Sequence, residues 1–304
     1  MRTSMVSVLA ALLACSTINC QSASERFNYL GQEPPSLQPK VFAPGIISVD
    51  DEYEFGSVFN QDVSRFFYAV DIDGRAEIRY SELVKNEWSA PVVILSDENY
   101  GFNDPFLSPD EKRLYFISQK ALEGPGAKDD YDIWYVEDRN GSWSDPINAG
   151  PRVNSGRDEY YISFTEDGTM YFSSNKLPAD EPYGNFEVYT SEYVNGNFQE
   201  AVRLGDAINS SNYEADVFIA PDESYIIFCS TRSDGLGRGD LYISFKNADD
   251  TWTKAVNMGN KINTTGHELC PFVTHDGKYF LYTSNEDIYW VSTRIFDEIR
   301  GVER

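Results

Sequence analysis

Between residues 215 and 258 the chain reads ADVFIA (215–220), YIIFCS (225–230), DLYISFK (240–246) and WTKAVNM (252–258), four short apolar-rich runs. Between them lie Pro221-Asp222-Glu223, the glycine-studded stretch 235–239, and residues 247–250. Alternating runs punctuated by Gly, Pro, Asn and Asp read as strands joined by hairpins. Pro221 stands at the first central position of its turn, where its fixed φ suits type I, and Pro109 does the same before Asp110. No helix is expected before residues 295–300. Four strands in a unit of this length make a propeller blade.

The same grammar recurs along the chain. An aromatic returns at Trp88, Trp143, Phe198 and Trp252, at spacings of 55, 55 and 54, a period that signals propellers or solenoids. An acidic-aliphatic pair returns at Glu77-Ile78, Asp132-Ile133, Glu187-Val188, Asp240-Leu241 and Asp287-Ile288. A turn aspartate returns at Asp62, Asp110, Asp167, Asp222 and Asp276. The three markers keep step over five copies, starting near residues 54, 102, 159, 214 and 268. The fifth copy lacks its last strand. Residues 41–48 resemble the inter-copy segments 201–210 and 255–264, so an N-terminal strand is expected to complete the final blade and hide two exposed edges. The expected fold is all-β: a single β-propeller of five four-stranded blades over residues 40–293, followed by a short C-terminal tail at 294–304. Six blades is the alternative, if residues 27–44 hold a degenerate copy.

Composition supports a packed, acidic, strand-rich domain. Of 304 residues, 41% are hydrophobic and 14% aromatic, well above the composition of disordered chains. Tyr (20) and Phe (19) far outnumber Met (4), which favours strands. Twenty-five Lys and Arg against 49 Asp and Glu give a net charge of −24. No basic stripe exists to neutralise phosphates, so nucleic acid is excluded as a direct partner. Two His and four Cys argue against a zinc site and a disulfide-stapled scaffold.

The amino terminus reads as an export signal. A basic start precedes the apolar run 5–13, too short to span a bilayer as a helix but suited to secretion. It ends Leu12-Leu13-Ala14-Cys15, which resembles the lipobox of bacterial lipoproteins and implies a signal peptide at 1–14 and lipidation of Cys15. An ordinary signal peptide cleaved near Ala14 or Ala23 is the alternative, and Cys20 is a poorer acylation candidate because Asn19 precedes it. Residues 15–39 read as the lipidated cysteine and a flexible tether. Multiple acyl chains on one cysteine hold firmly, so the membrane is met through the anchor alone.

Within the repeats, Ser108-Pro109-Asp110, Leu114-Tyr115-Phe116-Ile117-Ser118, Asp132-Ile133-Trp134-Tyr135 and Trp143-Ser144-Asp145-Pro146 resemble the WD-like repeats of the TolB-like propellers of bacterial envelope proteins. The resemblance covers roughly residues 40–292 and implies the fold rather than an activity. That family's best-known member carries an additional N-terminal domain for which this chain has no room, so its partners do not transfer.

Chemistry is expected at one mouth of the channel. Eight residues before the turn aspartates stand Glu54, Phe102, Glu159, Glu214 and Glu268, with Asp104 and Asp216 two positions after theirs. Equivalent positions lie at one height in a propeller, so these carboxylates form a ring. The preferred reading pairs the ring glutamates with Lys120, Lys176 and Arg232 of a neighbouring blade, because a scaffold motif serves every copy alike. A Ca²⁺ site, which needs six to eight oxygen ligands, and a catalytic carboxylate set are the alternatives. Five-bladed glycoside hydrolases use channel carboxylates about 5 Å or roughly 6.5–9.5 Å apart, yet nothing asymmetric marks which ones would serve here. Residues 138–143 look superficially like a sialidase Asp-box, without an identifiable arginine trio among Arg113, Arg152, Arg157 and Arg203.

His267 and His275 read as surface-loop residues, with His267 as a conceivable general base. Cys229 and Cys270 read as buried thiols, with an inter-blade disulfide as the alternative in an exported compartment. The in-register aromatics read as inter-blade packing. Tyr100, Phe102, Tyr160, Tyr161, Tyr183 and Tyr213 cluster near the expected mouth, which suits a carbohydrate or peptide. The expectation is an exported, lipid-anchored binding or scaffolding module of the cell envelope, periplasmic or at the surface. It would act as a monomer, without a cofactor, on an envelope protein, peptidoglycan or glycan. A polysaccharide hydrolase or lyase is the alternative.

Overall fold

A computed structural model describes residues 29–139, 141–175 and 185–302. Five antiparallel sheets surround one axis, each with its first strand innermost. Blade 1 runs Tyr53–Phe59, Arg65–Ile72, Arg75–Val84 and Val92–Leu95. Blade 2 runs Asn103–Leu107, Arg113–Lys120, Ala127–Glu137 and Ile147–Asn148. Blade 3 runs Glu159–Phe164, Met170–Ser174, Glu187–Ser191 and Val202–Arg203, and blade 4 runs Glu214–Ile219, Tyr225–Ser230, Asp240–Phe245 and Val256–Asn257. Blade 5 takes Glu268–Val273, Tyr279–Ser284 and Asp287–Ser292, and its outer strand is Lys40–Val41. Lys40 pairs with Trp290 and Val41 with Tyr289, so the N-terminal strand closes the ring as expected. The blade count is five, not six.

The repeated residues are hairpin and linker devices. Each turn aspartate folds its carboxylate back on its own loop: Asp110 accepts from Ser108 Oγ at 2.8 Å and Lys112 N–H at 3.2 Å, and Asp276 accepts from Thr274 Oγ1 at 2.7 Å and Lys278 N–H at 3.2 Å. Such side chains stand in for backbone turn bonds. Asparagines in the links between blades do a second job. Asn154, Asn209 and Asn263 each exchange two hydrogen bonds, at 2.7–3.0 Å, with the backbone of Ile133, Val188 and Leu241. They satisfy third-strand backbone groups where the short outer strand has ended.

Two elements lie outside the repeats. The helix Ile295–Val302 buries Ile295 and Phe296 against blades 4 and 5. Tyr29 and Leu30 are only 4% and 5% exposed, so the tether reading of 15–39 is corrected for its last stretch. Tyr29 packs on Phe59, Tyr279 and Trp290, and its hydroxyl donates to Asp276 Oδ2 at 2.8 Å. Aromatic burial on that scale outweighs the entropy of ordering a few residues. The signal at 1–14, Cys15, Cys20, Asn140, Lys176 and Tyr183 lie outside the described residues. Removing the hydroxyl in Tyr29→Phe is expected to cost about 1–2 kcal/mol, a charge-assisted hydrogen bond. Denaturant titration should show a lower midpoint at constant slope.

Candidate functional site

The ring glutamates are buried and engaged within their own blades. Glu54, Glu159, Glu214 and Glu268 are all 0% exposed. Glu159 accepts from Ser155 N–H at 3.1 Å, Ser155 Oγ at 2.6 Å and Ser174 Oγ at 3.0 Å. Glu214 does the same with Ser210 and Ser230, and Glu268 with Thr264 and Ser284. Each carboxylate thereby ties the incoming inter-blade link to the first and second strands. Among the described residues no group of three or more His, Cys, Asp or Glu side chains is placed to hold a metal ion.

The expected pairing with a neighbouring blade needs correction. Arg232 Nε reaches Glu214 Oε1 at 3.2 Å within blade 4. Lys120 lies 5.9 Å from the ring of Tyr100 and 5.2 Å from that of Trp134. Blade 2 carries Phe102 at the ring position, which leaves Lys120 no glutamate there. Blade 1 also departs from the pattern. Opposite Glu54 stands Val70 where the other blades have serine. Glu54 Oε1 accepts from Val49 N–H at 3.0 Å, but its buried Oε2 has no partner among the described residues. Burial pushes the carboxyls of Glu54 and Glu159 up to about 7.

Symmetry breaks two residues further along. Every inner strand contains a register shift at this point. The residue there is in the left-handed region in all five blades: Gly56 (φ 58), Asp104 (53), Tyr161 (44), Asp216 (51) and Cys270 (53). A β-bulge re-aims a side chain out of the regular alternation. For four non-glycine residues, left-handed backbone costs of order 1–3 kcal/mol each and persists only where the surroundings impose it. These residues converge on the axis. A Cβ on Gly56 would lie 2.9 Å from Asp104 Oδ1, Cys270 Sγ lies 3.3 Å from the same oxygen, and Tyr161 donates to Pro271 O at 2.8 Å.

Asp104 and Asp216 are therefore an unlike pair within a five-fold frame, 7% and 8% exposed. Burial raises both carboxyls well above the usual range, and the charge of Asp104 raises Asp216 further. Two buried carboxyls that feel each other's charge release their protons in separate steps. Cys229 and Cys270 are free, buried thiols, raised by burial first and then by acidic neighbours.

Half-buried aromatics stand beside the pair. The rings of Tyr131 and Tyr160 meet at 5.4 Å, those of Tyr160 and Phe186 stack at 4.5 Å, and those of Phe186 and Tyr213 meet at 5.3 Å. Burial raises the phenols of Tyr53, Tyr131, Tyr160 and Tyr213, and Asp104 adds to the shift in each. The sequence reading included Tyr160 and Tyr213 but missed Tyr53, Tyr131 and Phe186. Tyr100 and Phe102 pack inward instead, Tyr100 on Phe102 and Phe102 on Phe116.

The surface-loop reading of His267 is corrected. The ring is wedged over Gly239, with Nε2 3.5 Å from Cys229 Sγ and Nδ1 3.0 Å from an Arg238 nitrogen. Burial and then Arg238 lower its pKa. His275 is exposed, in keeping with the surface-loop reading. The Asp-box resemblance is structural, since Asp138 accepts from Gly141 N–H at 2.8 Å and pairs with Arg65 at 3.0 Å.

Comparison with solved structures agrees with this architecture. A thermostable family-43 glycoside hydrolase matches with a TM-score of 0.52 at 14% identity, covering 80% of this chain and 89% of that one. TolB from Acinetobacter baumannii matches with a TM-score of 0.49 at 15% identity, covering 78% of this chain. This chain spans about half, 53%, of that TolB. No protein-family model and no curated sequence matches. At 14% identity the hydrolase likeness shows the fold alone, in line with the five blades of this chain, and TolB propellers are among its structural neighbours.

Proposed function

We propose that this chain is a binding propeller of the bacterial cell envelope, of the TolB-like repeat type. It is exported by residues 1–14 and anchored through Cys15. It takes its ligand, an envelope protein or glycan, at the channel mouth. The observation that supports this reading is the aromatic arc Tyr131, Tyr160, Phe186 and Tyr213 beside Asp104 and Asp216. Aromatic faces next to a few polar groups suit sugars and peptides. The ring glutamates Glu54, Glu159, Glu214 and Glu268 act behind that surface as supports.

The test is a thermal-shift panel on the form starting at Gln21, with Ca²⁺, chelator, plant, algal and bacterial oligosaccharides and muropeptides. A ligand bound only to the folded state raises Tm. One that stabilises without turnover, and loses its effect in Tyr160→Ala, supports the binding reading. No shift across the panel directs the search to a protein partner.

A second reading rests on the asymmetric aspartates. Glycoside cleavage needs one protonated and one ionised carboxyl, and a buried pair in which the charge of Asp104 raises Asp216 supplies staggered deprotonation. Release of reducing ends, lost in Asp216→Asn, would replace the binding module by a hydrolase.

A further inference from the structure

At the opposite end of the propeller, where the turn aspartates lie, a cleft of about 600 Å³ opens between blades 2 and 3. Asp110, Arg113 and Tyr115 line it from blade 2, and Phe164, Tyr193 and Phe198 from blade 3. The corresponding wedge between blades 5 and 1 is filled by Tyr29. Repeat positions map one wedge onto the other. Asp276 corresponds to Asp110, Tyr279 to Arg113, Trp290 to Tyr135 and Phe59 to Phe164. These four blade 5 and blade 1 residues are the ones Tyr29 touches, with ring centroids 5.4, 4.8 and 5.8 Å from Phe59, Tyr279 and Trp290.

The acceptor is reproduced atom for atom. In both turns Oδ1 accepts the hydroxyl two residues back and the N–H two residues on. In both, Oδ2 holds a lysine Nζ, Lys112 at 3.1 Å and Lys278 at 3.2 Å. On Asp276 the same Oδ2 also accepts the Tyr29 hydroxyl at 2.8 Å. On Asp110 it lines the open cleft.

Other interfaces are closed by different means. Arg65 pairs with Asp138 at 3.0 Å across blades 1 and 2, and Tyr171 donates to Glu223 at 2.6 Å across blades 3 and 4. Phe296 from the C-terminal helix lies 5.4 Å from Tyr225 and 5.5 Å from Phe280, over blades 4 and 5. Across blades 2 and 3 the equivalent of Arg65–Asp138 is Arg113 to the neutral Tyr193 hydroxyl at 3.3 Å. That contact is longer and uncharged on one side, and the wedge stays open.

We infer that the blade 2–3 cleft is a docking site for a tyrosine presented by a partner peptide, bound as Tyr29 is bound by blades 5 and 1. The phenol would donate to Asp110 Oδ2, and the ring would lie against Phe164 and Tyr115. Glu137, Asp138, Glu166 and Asp167 also line the cleft, against Lys112, Arg113 and Arg139. That excess of acid favours a basic residue near the tyrosine. The chain's own inserting segment has this form, with Arg26 three residues before Tyr29.

The test is a double-mutant cycle on the whole chain. Two labelled peptides are titrated by fluorescence anisotropy: the sequence of residues 26–32, and the same peptide with phenylalanine for its tyrosine. Wild-type protein is expected to bind the tyrosine peptide saturably and roughly tenfold tighter than the phenylalanine one, the scale of a charge-assisted hydrogen bond. Asp110→Asn keeps the Asx turn and should erase that preference. Circular dichroism and Tm confirm that the variant is folded. Absence of saturable binding, or a preference that survives in Asp110→Asn, overturns the proposal. The second outcome would mean that the peptide exchanges with Tyr29 in its own wedge.

Discussion

Replacing Glu214 by alanine is expected to lower the free energy of unfolding by about 3–5 kcal/mol, the range for breaking a buried ion pair from one side. The carboxylate is fully buried and accepts from Ser210 N–H at 2.9 Å, Ser210 Oγ at 2.6 Å, Ser230 Oγ at 3.0 Å and Arg232 Nε at 3.2 Å. Alanine would leave the Arg232 side chain, 12% exposed, with its charge uncompensated, and the buried Ser230 and half-buried Ser210 hydroxyls without their acceptor. Glu268 has the equivalent hydroxyl partners, but Glu286 stands in blade 5 where blade 4 has Arg232, so Glu268→Ala should cost less. Glu54 makes a sharper contrast. Its Oε2 has no partner among the described residues and its carboxyl is pushed up to about 7, so Glu54→Gln should be close to neutral or mildly stabilising at pH 8. Chemical denaturation of the three variants checks the order. A loss below 1 kcal/mol for Glu214→Ala would remove the supporting role of the ring and return these carboxylates to the list of ligand-binding groups.

The repeat arithmetic was sufficient for the fold because each marker performs a local task. A turn aspartate closes a hairpin within a few residues, and the alternation of strands needs no distant information. Closure by residues 40–41 was readable for the same reason, since that segment copies the other links. The ring glutamates were found, but their partners were misassigned. The signal was present as Ser155, Ser210 and Thr264, each four residues before its glutamate, and as Ser174, Ser230 and Ser284 on the second strands. The positive side chains drew attention instead, although hydroxyls and amides provide most of the bonds.

The axial residues were hidden for a different reason. Gly56, Asp104, Tyr161, Asp216 and Cys270 share no chemistry, only a left-handed backbone at a bulge, and inner strands buried on both faces carry no alternation that a register shift could disturb. Asp104 and Asp216 read as ring acids, Tyr161 as a mouth aromatic and Cys270 as a buried thiol, but nothing in the sequence places the four at one level on the same axis. Tyr29 was missed because its partner Asp276 lies 247 residues away. Side-chain insertion across a closed ring has no local signature.

Stability is expected to fall as pH rises from about 5 to 8, and the axial aspartates are the main cause. A carboxyl whose pKa is raised by folding binds more protons in the native state than in the unfolded chain, so stability declines with pH above the unfolded value near 4. Asp104 and Asp216 are raised in this sense, and Glu54 and Glu159 reach about 7. Carboxyls lowered by turn hydrogen bonds, such as Asp110, Asp167 and Asp222, stabilise above pH 4 and lose that contribution only in stronger acid. The half-buried His267 acts oppositely. Its lowered pKa favours the fold above about 6.5 and less below it, which flattens the curve without reversing it. Asp104→Asn with Asp216→Asn should leave Tm at pH 5 little changed and raise it at pH 8, by on the order of a few kcal/mol of stability. Thermal unfolding across this range decides the matter: a double variant that parallels the wild type at every pH would show that the pair carries no buried charge. A gain in stability at pH 8 together with a loss of ligand or turnover would identify these two aspartates as residues whose work at the mouth is opposed to the folding of the blades around them.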